Sequence, residues 1–331
     1  MKLISYRLNN NISYGVLVNN ELYSLPDINA SFPASMNAFL ALEETGMEMA
    51  RQTARQIEAG TLVATPVINY EILAPVPHPT SCRDGYAFRQ HVEAARKNRG
   101  VEMIPEFDQY PIFYFTNHQA VEGPGNIYCM PDHFQQLDFE LEIAIVIGKK
   151  GKNIKASEAD AYIAGFTIMN DMSARKLQME EMLLNLGPAK GKDFSTVIGP
   201  WLVTPDELAQ KVAPTKAGHT GLNYDLAMKC YVNDKLVSSG NVKDMDWTFA
   251  EIIERCSYGV TLYPGDVIGS GTVGTGCFLE LNGTGKRLDP NFQPQWLQNG
   301  DRVTMTIDAL GILENQIIAE DTNWSILSLK K

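Results

Sequence analysis

The run Leu137-Asp138-Phe139-Glu140-Leu141-Glu142-Ile143-Ala144-Ile145-Val146-Ile147 sets three carboxylates at alternate positions ahead of an unbroken apolar stretch. Alternation of period two predicts a strand entering a core, with Glu140 and Glu142 pointing the same way. Two neighbouring glutamates on a buried strand repel each other and lose solvation, so they either face water or neutralise something positive. One reading is a solvated edge strand whose charges guard against pairing with another chain. The other is a site for a hard divalent cation.

Asn170-Asp171 follows the apolar run Tyr162 to Met169. This puts a further carboxylate at a strand exit, where ligands are commonly mounted. Asp84 stands beyond the proline-rich stretch Pro75-Val76-Pro77-His78-Pro79 and ahead of a short helix expected over about Tyr86 to Arg99, stopped at Gly100. That helix would carry His91. A lone histidine is usually packed or solvated, and its spacing from Asp84 is what singles this one out.

Asp84 with His91 seven positions later, the Asp138-Phe139-Glu140-Leu141-Glu142 strand, Met169-Asn170-Asp171-Met172-Ser173-Ala174-Arg175 and Gly191-Lys192-Asp193-Phe194 occur here in this order. In order and spacing the set resembles the fumarylacetoacetate hydrolase family, from roughly Pro75 to the C-terminus. The resemblance implies metal ligands at Asp84, Glu140, Glu142 and Asp171. It implies His91 as the base that activates water, with Glu280 orienting it, and Lys192 beside the reacting oxygens. Arg175, Gln178, Tyr86 and Thr272 match substrate-contacting positions. Four oxygen donors without cysteine favour Mg2+ or Ca2+, with Mn2+ next, over zinc.

The implied reaction is hydrolysis of a carbon–carbon bond in a 1,3-diketo acid. The namesake substrate would give fumarate and acetoacetate, a step of aromatic amino-acid catabolism. The cation would polarise the carbonyl, His91 would take the proton of attacking water, and Arg175 would hold a substrate carboxylate. The alternative within the same superfamily is a decarboxylase, a hydratase or isomerase, or an acylpyruvate hydrolase acting on a 2-oxo acid through an enolate. Shorter relatives often carry a glutamate three residues after the histidine, and here that position is Ala94. The partner glutamate is therefore expected from a distant strand. Residues between Arg96 and Tyr114 match the namesake poorly and are expected to shape specificity. A metal-stabilised binding protein would need none of His91, Glu280 and Lys192.

The elements that must position these groups read as a mainly β, α+β chain. Residues 1 to 25 suggest short strands turned at Asn9-Asn10-Asn11 and Asn19-Asn20, and Ser35 to Ala59 a helix. A small N-terminal domain is expected over residues 1–72 and a catalytic domain over 73–331. Strands are expected at Asp225–Val237, Asp266–Gly269, Phe278–Leu281 and Arg302–Ala309, without the regular alternation of a doubly wound sheet. The resemblance sharpens this to a mixed β-sandwich roll, expected as a homodimer.

Two glycine-rich motifs look like nucleotide loops. Gly269-Ser270-Gly271-Thr272-Val273-Gly274 fits G-x-G-x-x-G, but the following segment reads as strand where a pyrophosphate site needs a helix. Gly187-Pro188-Ala189-Lys190-Gly191-Lys192 lacks the hydroxyl residue of a phosphate loop, Asp193 standing there instead. His78, His118, His133 and His219 have no matched partners, and the four tryptophans read as packing.

The chain has 331 residues, 44% of them hydrophobic, and a formal charge of -11, which disfavours nucleic acid and anionic membranes as partners. Its five cysteines form no paired motif and fit a reducing, cytoplasmic setting. The start of the chain reads as no signal peptide, and no stretch approaches the roughly 20 apolar residues of a membrane span.

Overall fold

The computed structural model describes all 331 residues. Nine strands form the path of its main sheet: Glu21–Ser24, Asn11–Val18, Lys2–Leu8, Thr196–Val203, Ile163–Asp171, Leu141–Ile147, Val267–Gly269, Cys82–Gly85 and Phe113–Thr116. All neighbours on that path are antiparallel except Val267–Gly269 and Cys82–Gly85. A five-stranded sheet, with Ala227–Val232, Arg302–Ile307 and Gly311–Ala319 at its centre, closes the roll. The expected mainly β, α+β architecture is the one observed.

Both faces of Leu141–Ile147 are buried, which is why its sequence loses alternation after Glu142. Leu141, Ile143, Ile145 and Ile147 enter the large core of the roll. Ala144 and Val146 enter a second core with Leu3, Val16, Met47 and Ala50 from the N-terminal segment. That segment joins the sheet directly, Lys2 and Leu3 pairing with Val203 and Leu202. The expected helix over 35–59 divides into Met36–Leu40 and Glu43–Glu58.

One element differs in kind from its expectation. Phe278–Leu288 is a helix, where the sequence suggested a strand over Phe278–Leu281. Its cap is tertiary: the fully buried Asp138 carboxylate accepts the N–H groups of Phe278 and Leu279 at 2.7 and 2.9 Å. Cys277 Sγ takes the next, from Glu280. No Ser, Thr, Asp or Asn stands at the N-cap to announce such a start. A helix thus does follow the Gly269–Gly274 motif, and its first N–H groups are already taken by a carboxylate, leaving no anion seat for a pyrophosphate.

Candidate active site

Strand register brings Asp84, Glu142 and Asp171 together, and Glu140, in the gap just before Leu141, is held beside them by its N–H to Asn170 Oδ1 at 3.0 Å. Opposed residues of paired strands share a face, so Asp84, opposite both Tyr114 and Gly269, lies in one row with them. Gly269 in turn opposes Ala144, two residues from Glu142, and Glu142 opposes Met169, two residues from Asp171. Carboxylate oxygens of Asp84, Glu140, Glu142 and Asp171 come within 4.8 Å of one another, and all four residues are buried. Gly269 makes room for them, since a Cβ there would stand 2.5 Å from Asp84 Oδ1 and 3.0 Å from Glu142 Oε2.

Burial and mutual repulsion disfavour so many charges. Burial, with Asp171 beside it, pushes the Asp84 carboxyl up to about 7. Burial and the neighbouring Asp84 carry Glu142 well above the usual range, and burial raises Asp171 too. Glu140 goes the other way: burial opposes its charge, but Lys192 and Arg175 outweigh that and hold it at about 2. Glu142 Oε2 and Asp171 Oδ1 are buried without a hydrogen-bond partner. Two orphaned carboxylate oxygens in an all-oxygen cluster fit a hard divalent cation.

Three cationic or polar groups frame this cluster. Lys192 Nζ lies 2.6 Å from Asp171 Oδ2 and also contacts Glu140 Oε2, which keeps the ammonium firmly charged. Its loop approaches the Arg175–Met182 helix so closely that a Cβ on Gly191 would fall 2.6 Å from Gln178 Cα. Tyr114 donates its hydroxyl to Asp171 Oδ2. Arg175 bonds Asp138 Oδ2 and Glu140 Oε1, each at 2.8 Å, and Gln178 Oε1 at 3.0 Å.

His91 sits in the Arg89–Asn98 helix, shorter at both ends than its expected span. Its Nδ1 is 2.6 Å from Glu280 Oε2, and Nε2 has no partner within the protein. The backbone N–H of Thr275 fixes the other oxygen of Glu280 at 2.9 Å. Glu280 thus reaches the site from the first turn of a helix and not from the strand expected for it. Tyr86 packs edge-on against His91, and Thr272 donates to Glu142 Oε1 at 3.3 Å.

A cavity of about 520 Å3 opens onto Asp84, Glu140, His91, Glu280, Lys192, Arg175, Gln178, Tyr86 and Thr272, with Ile112, Phe113, Met179, Met182 and Leu279 as its apolar wall. Of the eleven residues singled out from sequence, Glu142 and Asp171 alone do not line it. They stand behind Glu140 and Lys192 within the carboxylate cluster. Tyr114 was not singled out, because an isolated tyrosine in an aromatic strand carries no motif. Asp138, grouped by sequence with Glu140 and Glu142, lies outside the cluster and holds Arg175 and a helix end instead.

Residues 80–318 match the family model described as fumarylacetoacetate (FAA) hydrolase, C-terminal. A mitochondrial oxaloacetate tautomerase of Rattus norvegicus is 32% identical over 300 residues, covering 88% of this chain and 83% of the relative. An oxaloacetate tautomerase of Bacillus subtilis is 30% identical over 339 residues, covering 96% of this chain and all of the relative. The solved fumarylacetoacetate hydrolase of Exiguobacterium antarcticum superposes with a TM-score of 0.70 at 25% identity, over 97% of this chain and 100% of that one. The protein is a member of the fumarylacetoacetate hydrolase family.

Proposed function

We propose that the protein is a divalent-metal-dependent enzyme that interconverts the keto and enol forms of a 2-oxo diacid of the oxaloacetate class. The observation that carries this reading is one cavity shared by the His91–Glu280 pair, the carboxylate cluster and the Lys192 ammonium. Relatives above and at 30% identity along nearly the whole chain, named as oxaloacetate tautomerases, support it over the cleavage of a carbon–carbon bond.

Asp84, Glu140, Glu142 and Asp171 would hold the cation, with Mg2+ or Mn2+ suited to the oxygen donors. When bound, it supplies Lewis acidity toward the 2-oxo group. His91 takes the proton from the carbon next to that carbonyl. Glu280 accepts from Nδ1, which fixes the tautomer and leaves Nε2 as the basic nitrogen. Electron density then moves onto the carbonyl oxygen, where the Lys192 ammonium offsets it, and a proton from solvent completes the enol hydroxyl while His91 releases its own proton to solvent. In the reverse direction the enol hydroxyl gives up its proton to solvent as protonated His91 delivers one to carbon. Tyr86, Gln178 and Thr272 shape the cavity wall, and Arg175 adds positive charge that favours an anionic substrate.

Carbon–carbon hydrolysis is the second reading, favoured by the cavity's apolar wall and by a volume beyond the needs of a four-carbon diacid. The same His91 would then deprotonate water. Purified protein with Mn2+ is to be assayed by loss of enol absorbance with oxaloacetate, and by loss of diketone absorbance with fumarylacetoacetate and an acylpyruvate. Metal-dependent decay of enol oxaloacetate without pyruvate release supports tautomerisation. Turnover of a diketone alone overturns it in favour of hydrolysis.

A further inference from the structure

Asp138 is the carboxylate of the Leu137–Ile147 run that neither the cation cluster nor the proton transfer uses. It is fully buried, and its two oxygens are saturated. Oδ1 accepts from Phe278 N at 2.7 Å and from its neighbour Phe139 N at 3.0 Å, and Oδ2 from Leu279 N at 2.9 Å and Arg175 Nε at 2.8 Å. A negative charge at a helix start is favoured by the exposed N–H groups and the helix dipole. Here it also fixes where that helix begins.

Both partners of Asp138 lead to the chemistry. The helix it seats presents Glu280 in its first turn, one residue past Leu279, with Oε2 2.6 Å from His91 Nδ1. The guanidinium it holds reaches on through Nη2 to Glu140 Oε1 at 2.8 Å. The line His91, Glu280, helix end, Asp138, Arg175, Glu140 is continuous, and it runs beside the direct approach of His91 to Glu140, whose ligand atoms lie within 4.8 Å of each other.

We infer that Asp138 is a positioning residue that sets the distance between these two halves of the site, aiming Glu280 at His91 while sharing Arg175 so that Glu140 stays available to a cation. The physical reason is competition for one guanidinium. With Asp138 neutral, Arg175 pairs with Glu140 alone, and a divalent ion must displace that pairing. The helix end at the same time loses the charge that seats its first two N–H groups. This inference rests on the proposed roles of His91, Glu280 and Glu140.

The test uses the full chain with Asp138→Asn and Asp138→Glu, with Mn2+ affinity read by calorimetry and oxaloacetate turnover read alongside. Mn2+ binding is expected to weaken by about 10- to 100-fold in Asp138→Asn, the usual cost of losing the group that orients a ligand. The turnover loss is expected in kcat more than in KM. In a cycle with Glu280→Gln read as kcat at saturating Mn2+, the Asp138→Asn/Glu280→Gln double variant is expected to be no slower than Glu280→Gln alone, because with the cation bound Asp138 acts on the proton transfer through Glu280. Unchanged Mn2+ affinity in a folded Asp138→Asn, or full additivity in the cycle, overturns the inference.

Asp138→Asn leaves a buried guanidinium without its counter-charge and so risks unfolding. Asp138→Glu keeps the charge that competes for Arg175 and shifts it by one methylene, and it is expected to fold with a smaller loss of Mn2+ affinity than Asp138→Asn and with lowered kcat from the displaced helix end. Failure of both to fold makes Asp138 a determinant of folding and overturns the positioning role. Should wild-type protein leave oxaloacetate unchanged, the Mn2+ arm still decides this inference, separately from the proposed activity.

Discussion

His91 and Glu280 are separated by 189 residues in the chain and by 2.6 Å in space. One lies in the helix that flanks the cavity and the other in the first turn of a helix whose start is fixed by a carboxylate from the central sheet. Glu280 is held at its second oxygen by Thr275 N, so the pair is oriented from the Glu280 side.

Removal of the base separates chemistry from binding. His91→Ala is expected to lower turnover by on the order of 10² to 10⁴, the range for a general acid–base group, with Mn2+ affinity close to wild type. Steady-state rates and calorimetry on the same preparation check this. Unchanged turnover would remove His91 from the mechanism.

Loss of a cluster carboxylate acts on the cation first. Glu142→Gln or Asp171→Asn is expected to weaken Mn2+ binding by more than tenfold, since each supplies a buried oxygen with no protein partner. Chelator treatment is expected to silence the wild type, with activity returning on addition of Mn2+. Mn2+ should also stabilise the fold, by about 2.7 kcal/mol at a hundred times its Kd. Thermal melts with and without the ion read this directly, and coincident curves would count against the site.

The metal-free protein is expected to lose stability as pH rises. Asp84 is pushed up to about 7 by burial and Asp171, from about 3.9 in an unfolded chain. A carboxyl raised on folding gives stability that is present below about pH 4 and lost as pH climbs through about 7. Glu140, held at about 2 by Lys192 and Arg175 against the effect of burial, has the opposite sign: its contribution is present above about pH 4 and is lost as pH falls toward 2. Melting temperatures of chelated protein from pH 5 to 8 should therefore fall, and saturating Mn2+ should flatten the trend. A rise over that interval would contradict the cluster's electrostatics.

Gly269→Ala tests the packing of the carboxylates. Its Cβ would stand 2.5 Å from Asp84 Oδ1 and 2.7 Å from Met169 Sδ, so one of them must move. The expected result is weaker Mn2+ binding together with a stability loss of about 1–3 kcal/mol, typical of an overpacked core. Wild-type values for both would show that the cluster tolerates displacement of Asp84.

Much of the acidic cluster was legible in the chain because strand periodicity is local. Glu140 and Glu142 stand two residues apart at the start of a strand and do meet in the cluster, and Asp171 stands at the end of a strand that its apolar run announces. The helix bearing His91 was also readable, though it runs Arg89–Asn98 and stops two residues before Gly100. The mainly β, α+β architecture followed from many short strands without regular alternation.

Tertiary structure decided the rest, because the deciding contacts join distant segments. Phe278–Leu288 is helical through a cap supplied by Asp138, 140 residues away in the chain for Phe278. Local sequence, which offers glycines and no capping side chain of the usual types, reads the other way. The same contact removes Asp138 from the face on which alternation grouped it with Glu140 and Glu142, since the backbone breaks between Leu137–Asp138 and Leu141–Ile147. Tyr114 joins Asp171 only because Phe113–Thr116 pairs at the sheet's far edge. Period and residue type determine which groups can share a face, while the pairing of remote strands and the capping of one helix by another segment's carboxylate determine which of them meet.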